Sequence, residues 1–159
     1  MVKGGSMGTD DSTEYAKNDM LLQTYIMIDK LISKAQQLMV SNKYQWTSIL
    51  TAFDCIREIY RHVRPLINEK ERNKYDDKKE KLLIKIEKFQ EKIQRNVISN
   101  PNFNVENFIN RNKEYRDILI EVDLFFDEIM VLKQECGLGI PTYYKRSREE
   151  YLKHHMGVQ

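Results

Sequence analysis

WTSILTAFDCIREIYRHVRPLI, Trp46 to Ile67, carries apolar side chains at Trp46, Ile49, Phe53, Ile56, Tyr60, Val63 and Ile67. The steps alternate between three and four residues, which places all of them on one face of an α-helix. Pro65 lacks an amide donor and its ring crowds the preceding turn, so the helix is expected to kink or stop there.

The segment before it repeats the pattern at Leu21, Tyr25, Ile28, Ile32, Ala35 and Met39. Asp11 with Glu14 resembles a capping box for the start of this helix, and Ser41–Tyr44 breaks it. The two seams close in one antiparallel register: Met39 faces Ile49, Ala35 faces Phe53, Ile32 faces Ile56, Ile28 faces Tyr60, Tyr25 faces Val63 and Leu21 faces Ile67. Small Ala35 opposite large Phe53 is what interdigitated layers favour.

A polar stretch, Asn68–Lys81, follows and reads as a connector or an exposed helical extension, with Asp77 and Glu80 capping a third helix. That helix carries Leu82, Ile86, Phe89 and Ile93, with Val97 beyond, and Asn100-Pro101 ends it. A fourth helix is expected from about Asn104, with its seam at Tyr115, Ile118, Val122, Phe125, Ile129, Leu132 and Cys136. Arg111 interrupts that seam, which sets residues 104–112 apart as a separate helical turn. Phe89 faces Tyr115, Ile86 faces Ile118 and Leu82 faces Val122. Gly137 is placed for a left-handed C-cap, with Leu138 folding back and Pro141 beyond it. Ser147 with Glu150 marks a short last helix edged by Tyr151, Leu152 and Met156.

The pattern predicts an all-α protein: an antiparallel up-down four-helix bundle built from two α-hairpins, with a short C-terminal helix. Residues 1–11 are read as a disordered N-terminal segment, the first six as a vector-derived leader, because Gly-Gly-Ser precedes a second methionine, Met7. Residues 12–137 are the bundle and 138–159 a basic, aromatic appendage.

With 159 residues, 41% hydrophobic and 31% charged, the chain is long enough to bury one core. A net charge of +2 supplies no strong field toward nucleic acid or an anionic membrane. Two cysteines are too few for a disulfide scaffold, which fits a reducing compartment, and a cytoplasmic location is expected. No apolar run reaches the length of a membrane span, so no membrane partner is expected.

Candidate chemistry is sparse. Lys81, Lys85, Lys88, Lys92 and Arg95 form a basic stripe on helix three. Glu114, Asp117, Glu121 and Glu128 line one flank of helix four. The hairpin register predicts a ladder of Lys88 with Glu114, Lys85 with Asp117 and Lys81 with Glu121. Arg57, Arg61 and Arg64 form a second basic row, with Glu58 beside it and Glu69 and Glu71 within reach. Left unanswered, these rows would track phosphates. The nucleic-acid alternative therefore rests on Arg57, Arg61, Arg64, Lys85, Lys88 and Lys92.

A di-metal bundle core needs inward glutamates and Glu-x-x-His motifs, and none occurs. His62 follows Glu58 by four residues. His154 and His155 are neighbours that point about 100° apart on a helix. Neither cysteine has a histidine placed by sequence to activate it. Gly137–Pro141 ends a helix and has no lysine in the position a phosphate loop needs. No catalytic residue, metal ligand, cofactor or small-molecule substrate is assigned. The tail joins aromatic and basic residues of the kinds found at binding hot spots, and Tyr144, Arg146, Arg148, Tyr151 and Lys153 are the expected partner-binding residues. The expected function is a non-enzymatic protein–protein interaction module: a small assembly subunit, adaptor or stoichiometric inhibitor. Its partner is another protein or a second copy. Nucleic-acid association is the alternative.

Overall fold

A computed structural model describes residues 22–39, 45–141 and 144. Two compact units divide the chain, Met1–Lys30 and Leu31–Gln159. The described residues form helices and connecting turns, with no strand among them. Helix α1 covers residues 22–39, α2 Trp46–Val63, α3 Glu69–Ser99, α4 Val105–Arg111 and α5 Lys113–Glu135. A 3-10 turn, Arg64–Leu66, closes α2 where Pro65 was expected to stop it. No helix among the described residues is long and apolar enough to cross a membrane.

The helices differ in how much of their surface they bury. Helix α2 buries its seam and also Ala52, Cys55 and Ile59, a stripe too wide for a single contact. Helix α5 likewise adds Leu119, Phe126 and Met130 to its seam. Helix α3 buries only Leu82, Ile86, Phe89 and Ile93, so it packs along one narrow stripe. Val97, which continues that stripe in sequence, is exposed.

Ring contacts fix the directions. Trp46 meets Phe89 at 4.9 Å and Tyr60 meets Tyr75 at 6.5 Å, so α2 and α3 run in opposite senses. Trp46 meets Tyr115 at 6.1 Å and Phe53 meets Phe125 at 6.2 Å, so α2 and α5 run in the same sense. Ile32, Ala35 and Met39 of α1 are buried as expected. Ile28 is buried too, but Tyr25, placed on the same seam from sequence, is 40% exposed.

Helix α3 starts well ahead of the expected cap at Asp77. Asn68 is the N-cap, its side chain accepting a hydrogen bond from the Glu71 amide at 2.8 Å, and the polar stretch behind it is helical throughout. Its composition, charged and without glycine or proline after Asn68, is that of a solvated helix rather than of a linker. The segment up to Arg111 is a helix of its own, as the interrupted seam led one to expect. Asn104 caps α4 through the Asn107 amide at 3.0 Å, and Asn112 caps α5 through the Glu114 amide at 2.8 Å. Phe108 of α4 stacks on Phe89 at 5.7 Å, which closes that end of the core.

At its other end α5 stops as the sequence predicts. Gly137 has φ +82, the left-handed region open to glycine without strain. The Leu138 amide donates to the Lys133 carbonyl at 3.1 Å and the Gly137 amide to the Gln134 carbonyl at 3.0 Å, the paired bonds of a Schellman cap. Lys133, itself buried, donates from Nζ to the carbonyls of Leu138 at 3.2 Å and Gly139 at 2.5 Å. The expected starts at Asp11 and Ser147, and the break at Ser41–Tyr44, lie outside the described residues.

A polar clamp joins α2 to α3. Tyr60 donates its hydroxyl to Asp76 Oδ1 at 2.8 Å, and Arg64 Nη2 pairs with Asp76 Oδ2 at 2.8 Å. The Arg64 hydrogen bond, then that of Tyr60, holds the Asp76 carboxyl down at about 2. Burial, with the bond to Asp76, pushes the Tyr60 phenol up. A carboxyl lowered from 3.8 to about 2 stabilises the fold fully above its unfolded pKa and loses that contribution as pH falls through the folded value. At a partly solvated site the contribution is about 1 kcal/mol. Asp76→Asn should therefore lower stability at pH 6 by that amount and flatten the acid limb between pH 4 and pH 2, as read by urea melts at each pH. An unchanged acid limb would show that the clamp does not hold in solution.

Candidate functional site

Helices α3 and α5 meet along a ladder of ion pairs. Lys78 Nζ lies 2.7 Å from Glu128 Oε2, Lys85 Nζ lies 2.6 Å from Glu121 Oε1, and Lys92 pairs with Glu114. Each rung steps seven residues up α3 and seven down α5, so the two helices run in opposite senses. The ladder expected from sequence exists, but with other partners: Lys85 takes Glu121 rather than Asp117, Glu114 takes Lys92 rather than Lys88, and Lys81 turns to Asp77 on its own helix at 2.9 Å. The apolar register did not carry over to the charges for a steric reason. Lysine reaches along the groove to an acid further along the facing helix, whereas Phe89 meets Tyr115 nearly across from it, at 6.3 Å.

The shift leaves charges over. Lys88 and Arg95 on α3, and Asp117 and Glu135 on α5, have no ion pair among the described residues. Above the ladder lies a groove of about 520 Å³. Leu82 and Phe125 form its floor, Ile84 and Leu124 its apolar walls, and Lys81, Lys88, Glu121 and Glu128 are among its charged rims. Leu124 is 47% and Ile84 41% exposed, and on α5 the exposed side chains Ile120, Leu124 and Val131 follow one another at helical spacing. They form a second apolar stripe, facing away from the one that packs on α2. Sequence reasoning passed over this stripe, although its spacing of four and seven residues was legible. The stronger seam beside it absorbed the reading.

The second basic row is also answered. Arg57 pairs with Asp54, Arg61 with Glu58 at 2.5 Å, and Arg64 with Asp76. Of the residues carrying the nucleic-acid alternative, Arg57, Arg61, Arg64, Lys85 and Lys92 hold acids, and Lys88 alone has no ion pair among the described residues. Neither Glu69 nor Glu71 supplies those partners.

In the tail, the structure describes Tyr144. It is buried, its ring set edge-on to Phe126 at 4.9 Å, and burial pushes its phenol up. Of the five expected partner-binding residues, Tyr144 is thus the one whose ring rests on α5. Arg146, Arg148, Tyr151 and Lys153 lie outside the described residues, as do His154 and His155.

The thiols are poorly set for nucleophilic chemistry. Burial pushes the Cys55 thiol up, and burial with the acids Glu71 and Glu135 does the same to Cys136. His62 Nε2 lies 3.5 Å from Glu58 Oε1, and no group of three metal-binding side chains comes together among the described residues.

The register of the ladder is directly testable. Lys85→Glu should destabilise the protein, and adding Glu121→Lys should recover part of the loss, with a coupling of roughly 0.3–1 kcal/mol in urea melts. Asp117→Lys in the same background should recover less. Stronger rescue by Asp117→Lys would restore the register expected from sequence.

Comparison with known proteins finds no matching family model, no matching curated protein and no matching solved structure.

Proposed function

We propose that the chain is a non-enzymatic protein–protein interaction module, cytoplasmic, acting as an assembly subunit, adaptor or stoichiometric inhibitor, with the outer face of α3 and α5 as its contact surface. One observation carries this reading: the groove between α3 and α5 has an apolar floor, exposed aliphatic walls and charged rims. Aliphatic side chains that line a groove at regular spacing gain by exclusion of water when a partner covers them. The paired state of the arginine and lysine rows weighs against nucleic acid, because an acid-bound cation must give up its partner before it meets a phosphate. The tail residues Arg146, Arg148, Tyr151 and Lys153 remain a second candidate contact.

The fold proposed with this function is the antiparallel up-down four-helix bundle, in which α1 and α2 form one hairpin and α3 and α5 the other. The burial of Ile32, Ala35 and Met39 on α1 and of Ile56, Phe53 and Ile49 on α2 supports the first hairpin. A short C-terminal helix completes it.

Photo-crosslinking tests the contact surface. A photoreactive amino acid replacing Leu124 should yield covalent protein adducts in extracts of the native host, and the same group replacing exposed Gln94 on α3 should not. Equal labelling at both positions, or none at Leu124, would remove the α3–α5 face as the contact surface.

A further inference from the structure

We propose that the occupant of the α3–α5 groove is an acidic amphipathic helix of another protein, with an apolar stripe flanked by carboxylates two turns apart. The inference rests on the interaction-module reading above and adds the chemistry of the partner.

The charge that an occupant meets is the charge lining the groove. Four lysines, Lys78, Lys81, Lys85 and Lys88, line it with two acids, Glu121 and Glu128. Both acids are already engaged by the ladder, Glu128 with Lys78 at 2.7 Å and Glu121 with Lys85 at 2.6 Å. Lys81 and Lys88 are the excess. Lys81 pairs with Asp77 of its own helix, but the two side chains are 72% and 60% exposed, and so open a pair adds little that a new partner must overcome. Lys88 has no ion pair among the described residues. The remaining acids of the two helices lie outside the lining. On α3, Glu80, Glu87 and Glu91 sit about 60–100° round the helix from Lys88. On α5, Asp117 and Glu135 lie beyond the groove along the axis, as do the cations Lys113 and Arg116. Within the groove the balance is therefore basic, and a complementary partner brings carboxylates.

Spacing selects a helix. Lys81 and Lys88 are seven residues apart on α3, and Leu124 and Val131 are seven apart on α5, two turns or about 10.5 Å in each case. A helix laid along the groove repeats at the same step. Its acids at i and i+7 can meet Lys81 and Lys88 together, while the aliphatic side chains between them enter beside Ile84 and Leu124, 41% and 47% exposed. An extended strand repeats its face every ~6.8 Å and falls out of step. A polyanion without an apolar stripe meets the lysines but leaves the floor of Leu82 and Phe125 uncovered.

The test titrates the full chain into three labelled helical peptides of about 20 residues, read by fluorescence anisotropy. The first carries a leucine stripe flanked by glutamates seven residues apart. The second has lysine in place of those glutamates, and the third keeps the glutamates but has serine for leucine. The first should bind at tens of micromolar, and the other two at least about tenfold more weakly. Lys81→Glu combined with Lys88→Glu should reverse the preference between the first and second peptides. Lys81→Gln combined with Lys88→Gln should weaken the first without favouring the second, and carries the test if the glutamate variant loses helix content by circular dichroism. Equal binding of the first and second peptides, equal binding of the first and third, or a preference unaltered in the lysine variants would each overturn the proposal. Leu124 crosslinking to a protein while the peptides show no preference for acid would mean that the partner class is wrong and the interaction surface stands. Crosslinking of Leu124 to a second copy alone would also overturn the acidic helix. If Leu124 does not crosslink and no peptide binds, both readings fall.

Discussion

Packing α5 between α2 and α3 is the constraint on which the rest of this structure depends. Phe125 lies 6.2 Å from Phe53 and 6.3 Å from Tyr60 of α2, and on its other side it helps to floor the groove against α3. A helix held on two flanks has little rotational freedom. Once Phe125 and Phe126 are seated, the third side of α5, with Ile120, Leu124 and Val131, is fixed outward. The exposed apolar stripe is therefore a consequence of the core, and α3, packed along one narrow stripe, is too slender to cover it.

The charges follow from the same arrangement. Antiparallel helices with heptad spacing bring lysine rows against glutamate rows, and exposed pairs of this kind set register more than they add stability. Because the ladder uses Lys78, Lys85 and Lys92, it leaves Lys88 unanswered, and the acid it bypasses is Asp117. A single choice of register thus determines both the closed inner ladder and the open outer charges.

The sequence disclosed the helical class, the seams of α2 and α5, the stop at Pro65 and the cap at Gly137, because each has a local signature: spacing, a missing amide or a positive φ. It misled where the signature was tertiary. The polar start of α3 looked like a linker because nothing in it packs. Tyr25 kept the seam spacing of α1 yet is exposed. The ring contact of Tyr144 with Phe126 joins residues 18 apart in sequence and has no local signature. The α3–α5 groove is a property of two helices at one separation, and no single helix announces it.

Hydroxyl-radical footprinting of the full chain reads the decisive side chains themselves. Oxidation at Ile84, Ile120, Leu124 and Val131 should approach that of exposed Leu66, while Ile118, Val122 and Ile129 on the opposite side of α5 stay protected. Protection of the outer four, or oxidation of the inner three, would contradict the packing of α5 that fixes the apolar stripe outward.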